Sequence, residues 1–207
     1  MTTLSPPLPL VRRTTRATVT IAIAVAASAA ITASSAAARP AARGFNAEAG
    51  LGAVGMLGEG QHAAAIGPVV AVRLGYDLTS WLSLGIAADA SSHEATVPAP
   101  PEGEWFQLYQ GRADLRLGVR AGAFALFAEG GAGAAYISSN VLGKVAILEP
   151  GERVSLAVAA GAGIEYQLQN RHYAFGLAGS YWLAPGFASL QGVEGRLFLR
   201  YTYGGAH

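Results

Sequence analysis

The chain has 207 residues, 14 of them basic and 13 acidic, for a formal charge of +1, with 27 glycines and no cysteine. Lack of cysteine excludes a disulfide scaffold, thiolate metal sites and an acylated lipoprotein N-terminus, and suits a chain that meets an oxidising compartment. Residues 1–43 hold five of the basic residues and none of the acidic ones, so the segment from Gly44 onward carries nine basic against 13 acidic residues, a net of −4, and gives no reason to expect nucleic acid as a partner.

Arg12, Arg13 and Arg16 precede a charge-free run from Ala17 to Ala33, and Ser34-Ser35-Ala36-Ala37-Ala38 follows. Basic, apolar, small: this order predicts a cleavable secretory signal peptide over residues 1–38, a short extension over 39–43 and one folded domain over 44–207. The rival is a retained anchor, but the run is Ala-rich and short of the roughly 20 apolar residues that a helical span needs. No later stretch reaches that length either, so helical spans are not expected.

From Gly44 the period changes to two. About Gly44 to Val54, Phe45, Ala47, Leu51 and Ala53 alternate with Asn46, Glu48, Gly50 and Gly52; about Pro68 to Asp77, Val70, Val72, Leu74 and Tyr76 alternate with Arg73, Gly75 and Asp77. A tight turn at Leu78-Thr79-Ser80 leads into a third strand, Trp81 to Ala90, with Leu82, Leu84, Ile86 and Ala88 on its apolar face. The fourth, Trp105 to Arg120, sets Gln110, Arg112, Asp114 and Arg116 against Gly111, Ala113, Leu115 and Leu117, and Ala121-Gly122 makes the next tight turn. Phe124, Leu126, Ala128 and Tyr136 mark the outer face of the fifth strand. The sixth runs from Arg153 to Gln167, a third short turn falls at Gln169-Asn170, the seventh carries Tyr173, Phe175, Leu177 and Tyr181 outward, and the eighth runs from Gln191 to Tyr203. Successive side chains of a strand point to opposite faces, so each segment has one apolar face and one polar face.

Four longer connections, about Gly55 to Gly67, Ser91 to Glu104, Ile137 to Glu152 and Leu183 to Leu190, alternate strictly with the short turns. Segments of this length, patterning and loop alternation predict an all-β fold: an eight-stranded, antiparallel, up-and-down transmembrane β-barrel with a polar inside. Short turns are periplasmic in such barrels and long loops extracellular, which places both chain ends in the periplasm. The aromatics then fall into two belts at headgroup depth: Phe45, Tyr76, Trp81, Phe124, Tyr166, Tyr173, Tyr201 and Tyr203 at the periplasmic ends, Trp105, Phe106, Tyr109, Tyr136, Tyr181 and Trp182 at the outer ends.

Val72 to Leu84 (VRLGYDLTSWLSL), the run Phe127-Ala128-Glu129-Gly130-Gly131-Ala132-Gly133 and the hairpin from Gly161-Ala162-Gly163-Ile164-Glu165-Tyr166 to Tyr173 resemble the family of small eight-stranded outer-membrane β-barrel proteins. Many family members end on an aromatic residue, whereas here Tyr203 is followed by Gly204-Gly205-Ala206-His207. The order of the runs and the Gly-Ala bias are also similar to the adventurous-gliding-motility barrel of myxobacteria. The resemblance implies a porin-like protein of a Gram-negative outer membrane, in contact with its lipid.

The interior charges are the sharpest chemical feature. A register set by the Ala121-Gly122 turn puts Glu129 opposite Asp114, with Arg112 and Arg116 diagonal, which predicts an Arg112/Asp114/Arg116/Glu129 cluster extended by Arg73, Asp89, Glu48, Arg196 and Arg200. One reading is a solute or proton path; the blander is a salt-bridged plug, because side chains fill the lumen of eight strands. His172 is expected opposite or diagonal to Glu165. His62, His93 and His207 sit at unrelated spacings in loops or the tail, so neither a metal site nor a cofactor is expected. Gly50-x-Gly52-x-x-Gly55 matches a dinucleotide fingerprint in form only, since no helix-forming run follows. His93 with Ser91, Ser92 and Glu94 is the one grouping that could serve catalysis, and it lies in an expected Pro-rich loop without rigid support. The expected role is therefore non-enzymatic: a side-chain-filled anchor, in its specific form a subunit of a gliding-motility or envelope machine, whose extracellular loops or periplasmic rim meet a protein. A narrow channel for small solutes is the alternative and a lipid-modifying enzyme the third.

Overall fold

The computed structural model describes residues 43–96, 103–138, 153–169, 172–188 and 190–203. These form eight strands in chain order: β1 (Gly44–Leu57), β2 (Gly67–Asp77), β3 (Leu82–Glu94), β4 (Trp105–Ala121), β5 (Phe124–Ile137), β6 (Val154–Gln167), β7 (Tyr173–Ala184) and β8 (Leu190–Tyr203), with a 3₁₀ helix at Gly58–His62. Every strand is antiparallel to the next and β8 pairs with β1, so the sheet closes and leaves no edge strand.

Alternation decides which way each side chain points. Leu51, Val72, Ile86, Leu117, Leu126, Leu156, Leu177 and Leu197, one from each strand, face outward and are 44 to 67% exposed. Burying such a side chain is worth roughly 1.5–3 kcal/mol, so a full ring of them in water would forfeit an amount comparable to the whole stability of a domain. Hydrocarbon removes that cost, and a closed barrel leaves no ladder group unpaired within it.

Short turns set the register. Thr79 Oγ1 accepts from the backbone N–H of Leu82 at 3.0 Å and of Trp81 at 3.3 Å, which holds the first of them. Ala121 pairs with Phe124, so the next turn consists of Gly122 and Ala123, displaced from the expected Ala121-Gly122 pair. Gly122 has φ +63°, the conformation a two-residue hairpin needs at its first position. The displacement moves every β4–β5 pairing by two residues: Glu129 lies opposite Arg116, and Asp114 opposite Gly131. The facing side is unchanged because the side-chain period is also two. Asn170, expected in the third short turn, lies outside the described residues.

Several strands outrun their expected ends. β1 continues past Val54 to Leu57, and β3 continues past Ala90 to Glu94, because His93 and Glu94 pair with Phe106 and Trp105 of β4. An isolated bridge between Ala64 and Ala95 then ties the first long connection to the second. The last connection turns inward: Phe187 is fully buried, and Ala188 takes a left-handed φ of +47° to bring the chain back to Leu190.

Candidate functional site

The lumen has two storeys. Toward the short turns its wall is charged, and toward the long connections it is apolar. On β4 alone the inward residues change from Arg120, Arg116, Asp114 and Arg112 to Gln110, Leu108 and Phe106.

All nine residues expected in the lumen lie on the inner face, but they sort into two separate pairs and two larger networks in place of the one cluster expected. Arg116 is the centre: its Nη1 and Nη2 donate to Glu48 at 2.9 and 3.2 Å, and Nη2 also donates to Glu129 at 2.8 Å. Arg196 shares both carboxylates, at 2.5 Å from Glu129 and 3.9 Å from Glu48, and reaches Glu194 at 3.0 Å. Arg112 and Asp114 stand apart from this group. Arg112 binds Asp89 at 2.7 Å, and Asp114 accepts from Arg73 at 2.7 Å. Arg200 joins Asp77 at 2.6 Å and Glu165 at 3.0 Å. Glu165 also takes Arg120, at 3.2 Å. Burying unpaired charge is prohibitive, and here each of these carboxylates meets a guanidinium, with Arg116, Arg196 and Arg200 each holding more than one oxygen.

Phe127 of β5 and Phe198 of β8 complete the centre. The Arg116 guanidinium carbon lies 4.1 Å from the Phe127 ring centroid and 5.7 Å from that of Phe198, so the cation has rings beside it as well as carboxylates. Glycine makes room for those rings: a Cβ on Gly163 would come within 2.4 Å of Phe127 Cζ, and one on Gly176 within 2.4 Å of Phe198 Cζ.

Above the charges, Val54, Met56, Leu108, Ile137, Trp182 and Phe187 form a dry core inside the barrel. Phe106 and Trp182, expected in the outer aromatic belt, belong to this core. They fall on the inward parity of β4 and β7 and are 0 and 1% exposed. Trp105, Tyr109, Tyr136 and Tyr181 do face outward at that end, as Tyr76, Trp81, Tyr173 and Tyr203 do at the other, with Tyr166 and Tyr201 outward and half-buried between neighbouring rings.

His93 is part of the same storey, in strand and fully buried, contrary to the expected place in a Pro-rich loop without rigid support. Its Nδ1 lies 3.0 Å from the Ala65 carbonyl and its Nε2 2.9 Å from Ser91 Oγ, with the ring stacked on Phe106. A carbonyl only accepts, so Nδ1 donates to it and the neutral ring's Nε2 accepts from Ser91. This is a hydrogen-bonded Ser-His pair sealed beneath a phenyl ring. His172 also departs from expectation: its Nδ1 donates to the Thr202 carbonyl at 3.0 Å and its ring stacks on Tyr201, while Glu165 is occupied by arginines. His62 ends the 3₁₀ helix, exposed, with Gln61 at 3.1 Å. Gly50, Gly52 and Gly55 lie within β1.

Asp77, Glu165, Glu194 and Arg120 are not in the expected cluster, although alternation alone places all four inward. The outer core also had a signal in the sequence. Phe106-Gln107-Leu108-Tyr109 and Tyr181-Trp182-Leu183-Ala184 lose the polar-apolar alternation at the outer ends of their strands.

A family model for the outer membrane protein beta-barrel domain matches residues 23–183, more than half of the chain. Comparison with curated proteins gives no match. Among solved structures, Neisserial surface protein A superposes with a TM-score of 0.58 at 14% identity, covering 78% of this chain and 99% of that one. OprG from Pseudomonas aeruginosa gives 0.55 at 13% identity, covering 81% and 99%, and the N-terminal barrel domain of OprF from the same organism gives 0.50 at 11%, covering 78% and 99%. At such identities the likeness is one of fold.

Proposed function

The chain belongs to the outer membrane protein beta-barrel domain family, and from that premise we propose that it acts as a closed structural anchor of the outer membrane, with both termini in the periplasm and its long connections offered to a protein partner. The observation that carries this reading is the occupation of the lumen by side chains along its length, which leaves only cavities of about 20 and 40 Å³ between the described residues. Arginine-carboxylate pairs occupy the periplasmic half and the apolar core topped by Phe187 occupies the outer half. A solute would have to break buried ion pairs and then cross a dry layer, two costs in series.

The same geometry argues against catalysis. Ser91 and His93 have the contacts of a nucleophile and its base, but Phe106 covers the histidine and the pair lies within the apolar core. Among the described residues at the outer rim, the fold leaves accessible Gln61 and His62 on the 3₁₀ helix and Ile66 beyond the Ala64–Ala95 bridge. A component of an envelope or gliding-motility machine is the partner class that the similarity of sequence order favours.

Photo-crosslinking in intact cells tests this. A photoreactive residue in place of the exposed Gln61 should give one discrete protein adduct, and the same residue in place of lipid-facing Ile86 should not. Absence of any adduct from the rim, together with faster solute uptake when the protein is expressed, would contradict the anchor and favour a channel.

A further inference from the structure

Midway along the lumen the arginines are distributed unevenly. They enter from β2, β4 and β8, whereas the wall across from them at this level is Gly131, Ala159, Gly161 and Ser180. β7 brings no charge inward at any level, its inner face being Ala174, Gly176, Ala178, Ser180, Trp182 and Ala184. A cavity of about 20 Å³ lies on that side, bordered also by Arg73, Arg112, Asp114, Glu129 and Arg196.

Two side chains of this cavity keep a buried oxygen with no partner among the described residues. Asp114 uses one carboxylate oxygen for Arg73 Nε at 2.7 Å and leaves Oδ1 alone; Ser180 leaves Oγ alone. Both residues are more than nine-tenths buried, with relative exposures of 9 and 8%. Buried polar atoms nearly always have a partner, whether protein or ordered water, so these two oxygens on one cavity identify what the cavity is for.

We infer that this cavity is a binding site for one or two ordered water molecules that bridge Asp114 Oδ1 to Ser180 Oγ. Size and chemistry agree on the ligand. A water needs roughly 10–15 Å³ of such space, which makes the cavity too small for an organic solute. An ionised carboxylate only accepts hydrogen bonds and a guanidinium only donates them, so an occupant bounded by Asp114, Glu129 and three arginines must do both. Water does; an alkali cation offers nothing to the arginines, and a halide nothing to Asp114. The bridge completes the polar storey where long side chains fail to reach, on the strand that carries Trp182 into the apolar storey. It is independent of any partner at the loops.

Diffraction from crystals of the detergent-solubilised barrel, soaked separately in thallous and bromide salts, tests the site. The expected result is one density peak, or two peaks at hydrogen-bond distance from each other, that link the two oxygens through contacts of about 2.7–3.0 Å, without anomalous signal from either ion. Ser180→Val, which removes the hydroxyl and occupies the space, should abolish the peak. Ser180→Ala, the milder change should the valine variant fail to fold, should leave density on Asp114 alone. A thallium or bromide signal at the site would overturn the inference in favour of an ion. Unchanged density in both variants, or Asp114 Oδ1 and Ser180 Oγ each bonded directly to protein with no peak between them, would also overturn it.

Discussion

Travelling outward through the barrel, one passes from Arg116 held by Glu48 and Glu129 to Trp182 and Phe187 packed against Leu108 and Ile137, and the physics of closure changes on the way. The charged half is held by directed contacts whose partners lie far apart in sequence, and removing one member leaves another buried and unbalanced. The outer half is held by packing, which is undirected and tolerates repacking. The first half should therefore fail abruptly on single substitutions and the second in proportion to the volume removed.

The largest effect is expected at Arg116. Arg116→Leu strands Glu48 and Glu129 on a lumen wall with only Arg196 between them, and should cost about 3–5 kcal/mol. Urea unfolding of the refolded barrel in detergent micelles would show it as a lowered midpoint. Phe187→Ala removes the inward plug of the outer half and should cost about 3 kcal/mol, less if Leu190 and Trp182 collapse onto the space. Comparing the two midpoints tests whether the halves differ as described. Gly176→Ala sharpens the contrast from inside the charged half: its Cβ would meet the Ile164 carbonyl at 2.3 Å and Phe198 Cζ at 2.4 Å, and the overpacking should cost about 1–3 kcal/mol. His93→Phe keeps the stacking on Phe106 but strips the donor from the Ala65 carbonyl, an expected loss of about 1–2 kcal/mol, read from heat-dependent gel mobility. The smallest change has the opposite sign. Ala188→Gly relieves a left-handed φ and should stabilise the barrel by roughly 0.5 kcal/mol, once the greater unfolded-state entropy of glycine is deducted.

Alternation made the inward set legible, because a period of two leaves no freedom about which face Arg112, Asp114 or Arg196 occupies. Which inward residue meets which was not legible. Register depends on the turn, and a shift of two residues at Gly122-Ala123 exchanges every pairing of β4 with β5 without altering either face. Contacts across the lumen are further removed still: Arg116 meets Glu48, 68 residues away and on a strand with which β4 shares no ladder. The apolar storey was hidden for a different reason. Phe106 and Trp182 sit at the height where lipid-facing aromatics gather, and chain position gives height but only parity gives direction. The Ser91-His93 pair was misplaced because the chain carries β3 four residues farther than its hydrophobic alternation does, through ladder pairing with β4 that leaves no trace in a single segment.

Closure of the lumen is tested most directly by electrical recording from the purified protein in a planar lipid bilayer. A barrel shut by ion pairs below and packed side chains above should insert and give no resolvable conductance steps, with Arg116→Leu alone still silent because the outer core remains. Reproducible single-channel steps from the unaltered protein would contradict the account.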